Sequence, residues 1–373
     1  MLATVETYPA VARATGRIRG IDAARALAII GMVMVHFGPT EPDGGVLSRL
    51  YGVTHGRASI LFVVLAGIGV SLLAGDRSPA RLCSAVAKLA FRAALLLPLG
   101  LALQELDTNV LVILQYYALY FLVAAAVVPL SDRMVLALSG VLVVAGPVVY
   151  IGLGLAQPGW FAAGGPAAWT DEPTQIIRDL LLTGSYPLLT WSGPVVFGVW
   201  LGRRDLRSTA TRMRLLLGGC AGAGLAYGVS WALTERYGDP TAQLSWAQLV
   251  VAEAHSQMPL WLAGAMGTAT AVLGASLLVA TCLPRVSWPL VATGQLALTV
   301  YVGHLLVLAA WPELLQRDSV GGAVRTVAVF TLVTAAVCTA WRRLASRGPL
   351  EAVLRLPWAL RAWRRRQPAG QEA

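Results

Sequence analysis

Five polar residues interrupt two long apolar stretches near the start of the sequence: Asp22, Arg25, His36, His55 and Arg57. Charged and imidazole groups are costly in lipid, so they are expected to face a bundle interior or a water-filled cavity, where they are candidates for chemistry. Imidazole has an ordinary pKa of about 6.5 and is the usual base for taking a proton from a hydroxyl or an amine. The plainer alternative is a buried ion pair and an interfacial histidine.

The first three of these residues share one face of a helix. Arg25 and His36 lie eleven positions apart, which at about 100° per residue is roughly three turns and about 16 Å along the axis. Asp22 precedes Arg25 by three residues and belongs to the same stripe. The first helix therefore presents an acid and an arginine near one end and an imidazole near the other.

The other two residues precede a second apolar helix. His55 and Arg57 flank Gly56, and the apolar run from Leu61 to Leu73 contains small residues such as Gly67 that permit close helix contact. A helix N-terminus favours developing negative charge, and an imidazole beside it suits acyl transfer. The alternatives are a loop position for His55 and a snorkelling anchor for Arg57.

Composition indicates the class of protein. Apolar residues make up 57% of the 373, charged residues only 13%, and the mean hydropathy is +0.66. These values predict an all-α, polytopic membrane protein in contact with lipid. The net charge of +10 comes from short basic clusters between apolar runs, a pattern typical of membrane topology, so no nucleic-acid partner is expected.

About ten apolar runs are long enough to span a membrane. They suggest a cytoplasmic segment over 1–20, a transmembrane domain over 21–341 and a basic cytoplasmic tail over 342–373. The predicted spans are 21–37, 58–74, 87–103, 110–130, 134–153, 185–202, 213–233, 257–282, 289–311 and 322–341.

The distribution of basic residues predicts the orientation. With a cytoplasmic N-terminus, 23 of the 29 lysines and arginines fall on the inner side, so both termini are expected in the cytoplasm of a multi-pass plasma-membrane protein. The six that remain outside are Arg49, Arg57, Arg178, Arg236, Arg317 and Arg325.

The same orientation separates the histidines from the cysteines. All four histidines fall toward the outer side, so convergence of His36, His55 and His304 would line a cavity that opens away from the cytoplasm. The cysteines fall toward the inner side without a metal-site or redox spacing, so neither a disulfide nor a bound metal is expected. We interpret them as small apolar packing residues. They are Cys83, Cys220, Cys282 and Cys338.

Later spans add candidates for substrate binding. Gln115, Tyr116 and Tyr117 lie in the fourth predicted span, and Tyr301 and His304, three residues apart, share a face of the ninth. All of them could line the cavity with hydrogen-bonding groups, and Gln115, Tyr116, Tyr301 and His304 are the predicted substrate-binding residues. The tyrosines could equally belong to an interfacial aromatic belt.

Taken together, these motifs resemble the heparan-α-glucosaminide N-acetyltransferase-like superfamily of transmembrane acyltransferases, particularly its bacterial members. The resemblance begins with Asp22-Ala-Ala-Arg25, His36 and His55-Gly56-Arg57, and extends over most of the chain. It continues in four later segments: Leu114-Gln-Tyr-Tyr117, Leu182-Thr-Gly-Ser-Tyr-Pro187, Gly294 to Thr299 and Arg347-Gly-Pro-Leu-Glu351.

The resemblance implies an acyl-CoA donor, most simply acetyl-CoA, on the cytoplasmic side and an amine or hydroxyl of an extracytoplasmic glycan or lipid-linked acceptor on the other. By position it makes His55 the active-site histidine, and the more distantly similar acyltransferase-3 proteins have an essential histidine where His36 lies. We expect His55 to act as base or transient acyl carrier and His36 as its partner, although their division of labour is left open. Asp22, Arg25 and Arg57 become candidates for binding the donor. Direct transfer and an acyl-histidine intermediate are both compatible with the sequence, as is a homo-oligomer.

A transporter or lipid-flipping protein is the main rival, because carriers also place Asp, Arg and His inside bundles. The sequence shows no clear two-half repeat, and its polar residues concentrate in the first two helices, which disfavours that class. A third alternative is a membrane scaffold without catalytic activity. It would not explain why all four histidines fall toward the outer side.

Overall fold

The computed structural model describes residues 16–39, 45–106, 108–240 and 243–358, and in these residues all regular elements are helical. The prediction of an all-α membrane protein is confirmed. The helices are α1 Arg19–Phe37, α2 Val46–Gly52, α3 Arg57–Ala74, α4 Pro79–Gln104, α5 Leu114–Val127, α6 Asp132–Ala156, α7 Pro158–Ala162, α8 Pro173–Arg178 with a π-helical turn Asp179–Thr183, α9 Leu188–Leu201, α10 Thr209–Tyr237, a 3₁₀ turn Trp246–Val250, α11 Pro259–Cys282, α12 Trp288–Gln295, α13 Ala297–Ala310, α14 Pro312–Leu315, α15 Val320–Leu344 and α16 Pro349–Val353.

Seven helices in the described part of the chain are long and apolar enough to cross a membrane: α1, α3, α4, α6, α10, α11 and α15. The pair α12 and α13 adds an eighth crossing if it is one broken span, bent by 80°. The predicted spans 110–130 and 185–202 instead contain α5 and α9, each of 14 residues. Such a helix is about 21 Å long and falls short of a hydrocarbon core of about 30 Å.

The break between α12 and α13 was not predicted within 289–311. Leu296 ends one helix and starts the other, which exposes backbone N–H groups inside an apolar segment. Non-helical backbone at that depth persists only where its polar groups find partners. Here the carboxylate of Glu351, from α16, accepts hydrogen bonds from the amides of Leu298 and Thr299.

Helices α1 and α3 form the centre of the bundle. α1 contacts α3, α11, α12, α13 and α15, whereas α3 contacts α1, α4, α5, α9 and α11. Close approach depends on small residues: a Cβ on Gly67 would overlap the backbone of Val195, and one on Gly198 would overlap that of Val64. The predicted tight packing of the second apolar helix is therefore confirmed at Gly67.

The outer helices expose apolar surface. On α10 and α15 the side chains of Leu217, Leu225 and Leu332 are exposed, as expected of residues that face lipid. Three of the four cysteines, Cys83, Cys220 and Cys282, are also exposed, and all four are free thiols. The interpretation of the cysteines as packing residues thus holds for buried Cys338 and is wrong for the others, because a membrane protein can present apolar side chains to lipid.

The segment after α15 packs against the bundle. α15 continues to Leu344, past the predicted boundary at 341, and α16 contacts α13. The expected tail over 342–373 is therefore folded at least through 358, and its remainder lies outside the described residues, as do residues 1–15.

Candidate active site

The carboxylate of Asp22 is the centre of a hydrogen-bond network at the start of α1. Its side chain is 1% exposed, and its oxygens accept hydrogen bonds from Nε of Arg17 at 2.6 Å and from an Nη of Arg25 at 2.9 Å. The amide of Gln295, at the break between α12 and α13, lies 3.5 Å away. One buried carboxylate therefore holds two arginines, and the hydrogen bond to Asp22 raises the pKa of the Arg17 guanidinium.

A cavity of about 430 Å³ opens beside these arginines. Its walls come from α1, α3, α4, α5, the α12–α13 break and the segment around α16. The charged residues that line it are five arginines and one glutamate: Arg17, Arg25, Arg92, Arg347, Arg355 and Glu351. The apolar and aromatic lining includes Phe62, Leu65, Ala66, Leu96, Leu114, Tyr117, Phe121 and Leu354.

The charge in this cavity is not balanced by acids. Among the described residues, Arg92, Arg347 and Arg355 make no ion pair, and Nε of Arg92 is buried without a hydrogen-bond partner. Burial lowers the pKa of Arg355, and the nearby positive charges of Arg347 and Arg17 lower it further. Converging cations that repel one another are suited to a ligand with several negative charges.

Aromatic rings lead from the cavity toward the histidines. Phe62 lines the cavity, and its ring centroid lies 5.2 Å from that of Tyr117 and 6.3 Å from that of Tyr301. Tyr301 is 1% exposed, its hydroxyl accepts a hydrogen bond from the amide of Ile113, and its ring lies 5.1 Å from that of His304. A single aromatic residue therefore separates the cavity wall from an imidazole.

His304 meets His36 at the far end of this row. Nδ1 of His36 lies 3.0 Å from Nε2 of His304, with ring centroids 5.2 Å apart and ring planes 9° apart. These values describe two nearly coplanar rings that meet edge to edge, so one ring donates and the other accepts a hydrogen bond. Of the three histidines whose convergence would line a cavity, His36 and His304 are in direct contact.

His55 lies in the turn between α2 and α3. Its Nδ1 is 3.4 Å from the carbonyl of Tyr51, and its ring lies 4.7 Å from the Tyr51 ring. Burial is the main cause that lowers its pKa. His255 is close enough that the charge of His55 acts on it, and burial together with that charge lowers the pKa of His255 to about 4.

His255 belongs to an aromatic cluster next to that turn. Its ring lies 5.7 Å from Tyr186, 6.0 Å from Trp261 and 6.4 Å from Trp191. Its backbone is left-handed, with φ at 60°, a conformation that non-glycine residues adopt uncommonly. A Cβ on Gly56 would lie 2.7 Å from Trp261 and 3.3 Å from His255. His55 and His255 therefore flank one crowded turn at the end of the bundle where α1 reaches His36.

Three other predicted site residues lie away from the cavity. Nε of Arg57 donates to the hydroxyl of Tyr227 at 2.8 Å, and its guanidinium stacks over that ring at 4.7 Å. The Gln115 amide donates to the carbonyl of Ala167 at 3.1 Å, and the Tyr116 hydroxyl accepts from the amide of the same residue. Arg57 thus connects α3 to α10, while Gln115 and Tyr116 bind the backbone of Ala167 in the segment between α7 and α8. Their binding roles stay predictions.

Sequence reasoning missed several residues of the cavity. Tyr117 is grouped with Tyr116 as a possible lining residue but is not among the predicted site residues, and Arg92 and Arg355 serve only as signals of topology. Arg347 and Glu351 stand at the ends of a segment that carried the family resemblance. That segment was the signal that could have placed them at the site.

Comparison with known protein families shows the family of this chain. The sequence profile described as "Heparan-alpha-glucosaminide N-acetyltransferase, catalytic" matches residues 17–224, more than half of the chain. The chain belongs to this family. The resemblance in the motifs is thereby confirmed, and the protein is a multi-pass membrane protein of an acetyltransferase-type family.

A second profile, for a protein family of unknown function, matches residues 201–360 of this acetyltransferase-family chain. No curated protein matches the chain. The first match contains His36, His55 and Arg92, whereas the second contains His304 and Glu351. Both matched regions therefore contribute to the cavity and to the histidine pair.

Metal ligands are not grouped in the described part of this acetyltransferase-family protein, where no three His, Cys, Asp or Glu side chains lie together. The geometry combines an arginine-lined cavity with an imidazole pair in which His304 is buried and His36 half-buried. Such a pair can accept a proton from a nucleophile and return it to a leaving group.

Proposed function

We propose that this protein is an integral membrane acyltransferase. It transfers an acyl group, most simply acetyl, from acyl-CoA in the arginine-lined cavity to an amine or hydroxyl of a glycan or lipid-linked acceptor that enters from the opposite side. The arginine-lined end faces the cytoplasm of the plasma membrane, as the distribution of basic residues predicts. The observation that carries the proposal is the continuous row from the cavity through Phe62 and Tyr301 to the His304–His36 pair.

The cavity has the chemistry of a CoA site. CoA carries a diphosphate and a further phosphate on its nucleotide, and these groups pair with guanidinium through short, charge-assisted hydrogen bonds. Arg92 and Arg355 have no acidic partner in the described residues and are assigned to the phosphates. Arg25 and Arg17, held by Asp22, complete the basic wall. The acyl-carrying arm then extends along the apolar lining toward Phe62 and Tyr117.

The histidine pair supplies the proton transfers. His36 takes the proton of the attacking hydroxyl or amine while His304 shares the hydrogen bond and spreads the positive charge. The nucleophile bonds to the thioester carbonyl carbon, and the carbonyl oxygen becomes an oxyanion. When that oxyanion collapses, the carbon–sulfur bond breaks, and the proton held by the pair passes to the thiolate of CoA. In this mechanism Tyr301, whose ring packs against that of His304, donates its hydroxyl hydrogen to the oxyanion.

We assign base catalysis to the His36–His304 pair and acceptor placement to His55. Tyr301 alone separates the pair from the Phe62 wall of the cavity, whereas His55 lies in a turn beside His255. His55 and His36 both lie toward the end of the bundle from which the acceptor would enter. This assignment favours direct transfer over a covalent intermediate on His55.

Release of CoA by purified protein in detergent tests the proposal. Wild type is compared with His36→Ala, His304→Ala and His55→Ala, using acetyl-CoA and longer acyl donors, with the melting temperature of each variant as the control for folding. We expect slow donor hydrolysis by wild type that His36→Ala and His304→Ala abolish. His55→Ala should retain donor hydrolysis and lose transfer to an acceptor. Folded wild type that neither binds CoA nor releases it would contradict the acyltransferase function.

One structural feature favours the transporter alternative: α12 and α13 form a broken helix, a device that carriers use to place binding sites at membrane depth. A transporter would move an unmodified solute across vesicle membranes without acyl-CoA. The break here is occupied by Glu351 of the same chain rather than left open to a solute, which is why acyl transfer is preferred.

A further inference from the structure

The segment from 346 to 358, called the strap, forms one wall of the arginine cavity. It contributes five lining residues, including two of the five cavity arginines: Ser346, Arg347, Glu351, Leu354 and Arg355. It is attached at both ends. The indole N–H of Trp341 donates to the carbonyl of Arg347 at 2.8 Å, and the ring of Trp358 packs edge-on against Phe91 at 5.4 Å.

Between these attachments the strap forms hydrogen bonds with the start of α13. Oε1 of Glu351 accepts hydrogen bonds from the amides of Leu298 at 2.7 Å and Thr299 at 3.1 Å, while Oε2 accepts from the Thr299 hydroxyl at 2.6 Å. The Thr299 hydroxyl oxygen accepts in turn from the amide of Leu350 at 3.2 Å. A carboxylate is favourable there because a helix N-terminus carries free donors and partial positive charge.

The strap and α13 are tightly packed at Gly348. Gly348 is buried, and a Cβ added to it would overlap Oε2 of Glu351 and lie 2.9 Å from the hydroxyl oxygen of Thr299. The backbone of Gly348 is extended, with φ at −70°, so its requirement is one of space rather than of conformation. At Gly348 the strap therefore packs against α13 at a distance that only glycine allows.

Glu351 contacts the start of α13, and α13 also carries His304, the second imidazole of the proposed catalytic pair. Tyr301 and His304 lie two and five residues after Thr299, within the first two turns of α13. A shift at the start of this short helix moves both side chains, since a helix transmits displacement as a rigid element. The contact between His304 and His36 is a single 3.0 Å hydrogen bond, and it weakens steeply with misalignment.

We propose that Glu351 is a positioning residue that couples occupation of the arginine cavity to the placement of His304. This inference rests on the proposed acyltransferase function. The donor phosphates bind Arg347 and Arg355 and hold the strap in place, and the strap keeps Glu351 on the start of α13. By reciprocity, an intact Glu351 contact strengthens donor binding by the same factor.

The test compares Glu351→Gln, which removes the charge at constant shape, with Thr299→Val, which removes only the hydroxyl. Glu313→Gln is the matched control, because Glu313 is an exposed acid at the start of α14 and does not line the cavity. CoA affinity, kcat and KM for acyl-CoA, and trypsin cleavage after Arg347 and Arg355 are measured for each protein.

We expect Glu351→Gln to weaken CoA binding about tenfold, as for loss of a charge-assisted hydrogen bond, and to lower kcat as well. Trypsin should cut the strap faster in this variant without any ligand, and CoA should slow cleavage of wild type. The double variant with Thr299→Val should be no worse than Glu351→Gln alone, since both remove one contact. Glu313→Gln should match wild type throughout.

The two proposals fail in different ways. If wild type binds CoA and turns over but Glu351→Gln keeps its CoA affinity, kcat and strap protection, the coupling is refuted and the acyltransferase function stands. If Glu351→Gln loses only thermal stability, with kcat and KM unchanged at a temperature where it is folded, Glu351 is structural and the coupling is again refuted. Absence of CoA binding by wild type refutes both.

Discussion

Nδ1 of His36 lies 3.0 Å from Nε2 of His304, although 268 positions separate the two residues in the sequence. His36 comes from the last turn of the first long helix, and His304 from the second half of a broken one. Their rings are nearly coplanar, which is the geometry of a hydrogen bond between imidazoles rather than of stacking. The proposed mechanism therefore uses the pair as one proton-sharing unit.

A shared proton predicts non-additive effects of mutation. His36→Ala or His304→Ala should each lower kcat by about 10²- to 10⁴-fold, the usual range for loss of general acid–base catalysis. The double variant should be no slower than the worse single variant, because the groups act together. Steady-state kinetics of the three proteins provide the measurement. Effects that multiply would show that the imidazoles act independently.

The unpaired cavity arginines predict effects on donor affinity rather than on chemistry. Arg92→Gln and Arg355→Gln should each raise KM for acyl-CoA about tenfold or more at nearly constant kcat, since each loses a charge-assisted hydrogen bond. Wild-type affinity should also fall with added KCl. Arg343→Gln is the control, because this exposed arginine of α15 does not line the cavity. An equal effect of Arg343→Gln would indicate general electrostatics instead of a site.

The depressed pKa of His255 predicts a loss of stability in mild acid. Its pKa in the folded protein is about 4, below the ordinary value of about 6.5, so between these values the unfolded chain binds a proton that the folded chain does not. Stability should be at its full value above pH 6.5 and fall toward pH 4, by at most about 1.4 kcal/mol per pH unit for one proton.

Melting temperatures between pH 4.5 and 7.5 measure this effect, with His255→Asn as the comparison. Asparagine tolerates the left-handed backbone at position 255 and does not titrate. The variant should show a shallower decline below pH 6.5 than wild type. Identical pH profiles would mean that other groups cause the decline.

The close crossing of α3 and α9 predicts opposite outcomes for two glycine substitutions. Gly198→Ala should destabilise the protein, since the new methyl group would overlap the backbone of Val64. Gly218→Ala on α10 meets no atom within 4 Å and should be neutral or stabilise by up to about 1 kcal/mol, because alanine favours the helix. Thermal unfolding of the detergent-solubilised variants checks both. A stable Gly198→Ala would show that the two helices can separate without cost.

Local sequence predicted the two central helices closely. The predicted spans 21–37 and 58–74 correspond to helices over Arg19–Phe37 and Arg57–Ala74. In lipid each helix must satisfy its own backbone hydrogen bonds, so the length of an apolar run and its polar interruptions carry the needed information. Local sequence does not predict the helix break at Leu296. The amide of Leu298 just after the break donates its hydrogen bond to Glu351, which lies 53 residues further along the chain.

The sequence by itself therefore determined the class of protein, the central helices, the polar stripe of Asp22, Arg25 and His36, and the family. Only the tertiary structure decided that His304 pairs with His36, that Arg57 turns to Tyr227, and that Arg92, Arg347 and Arg355 share a cavity. Apolarity and helical period act over a few residues, and the resemblance depends on short motifs, so all of these can be read along the chain. Which side chains meet depends on how helices cross, and that is fixed by packing between residues far apart in the sequence.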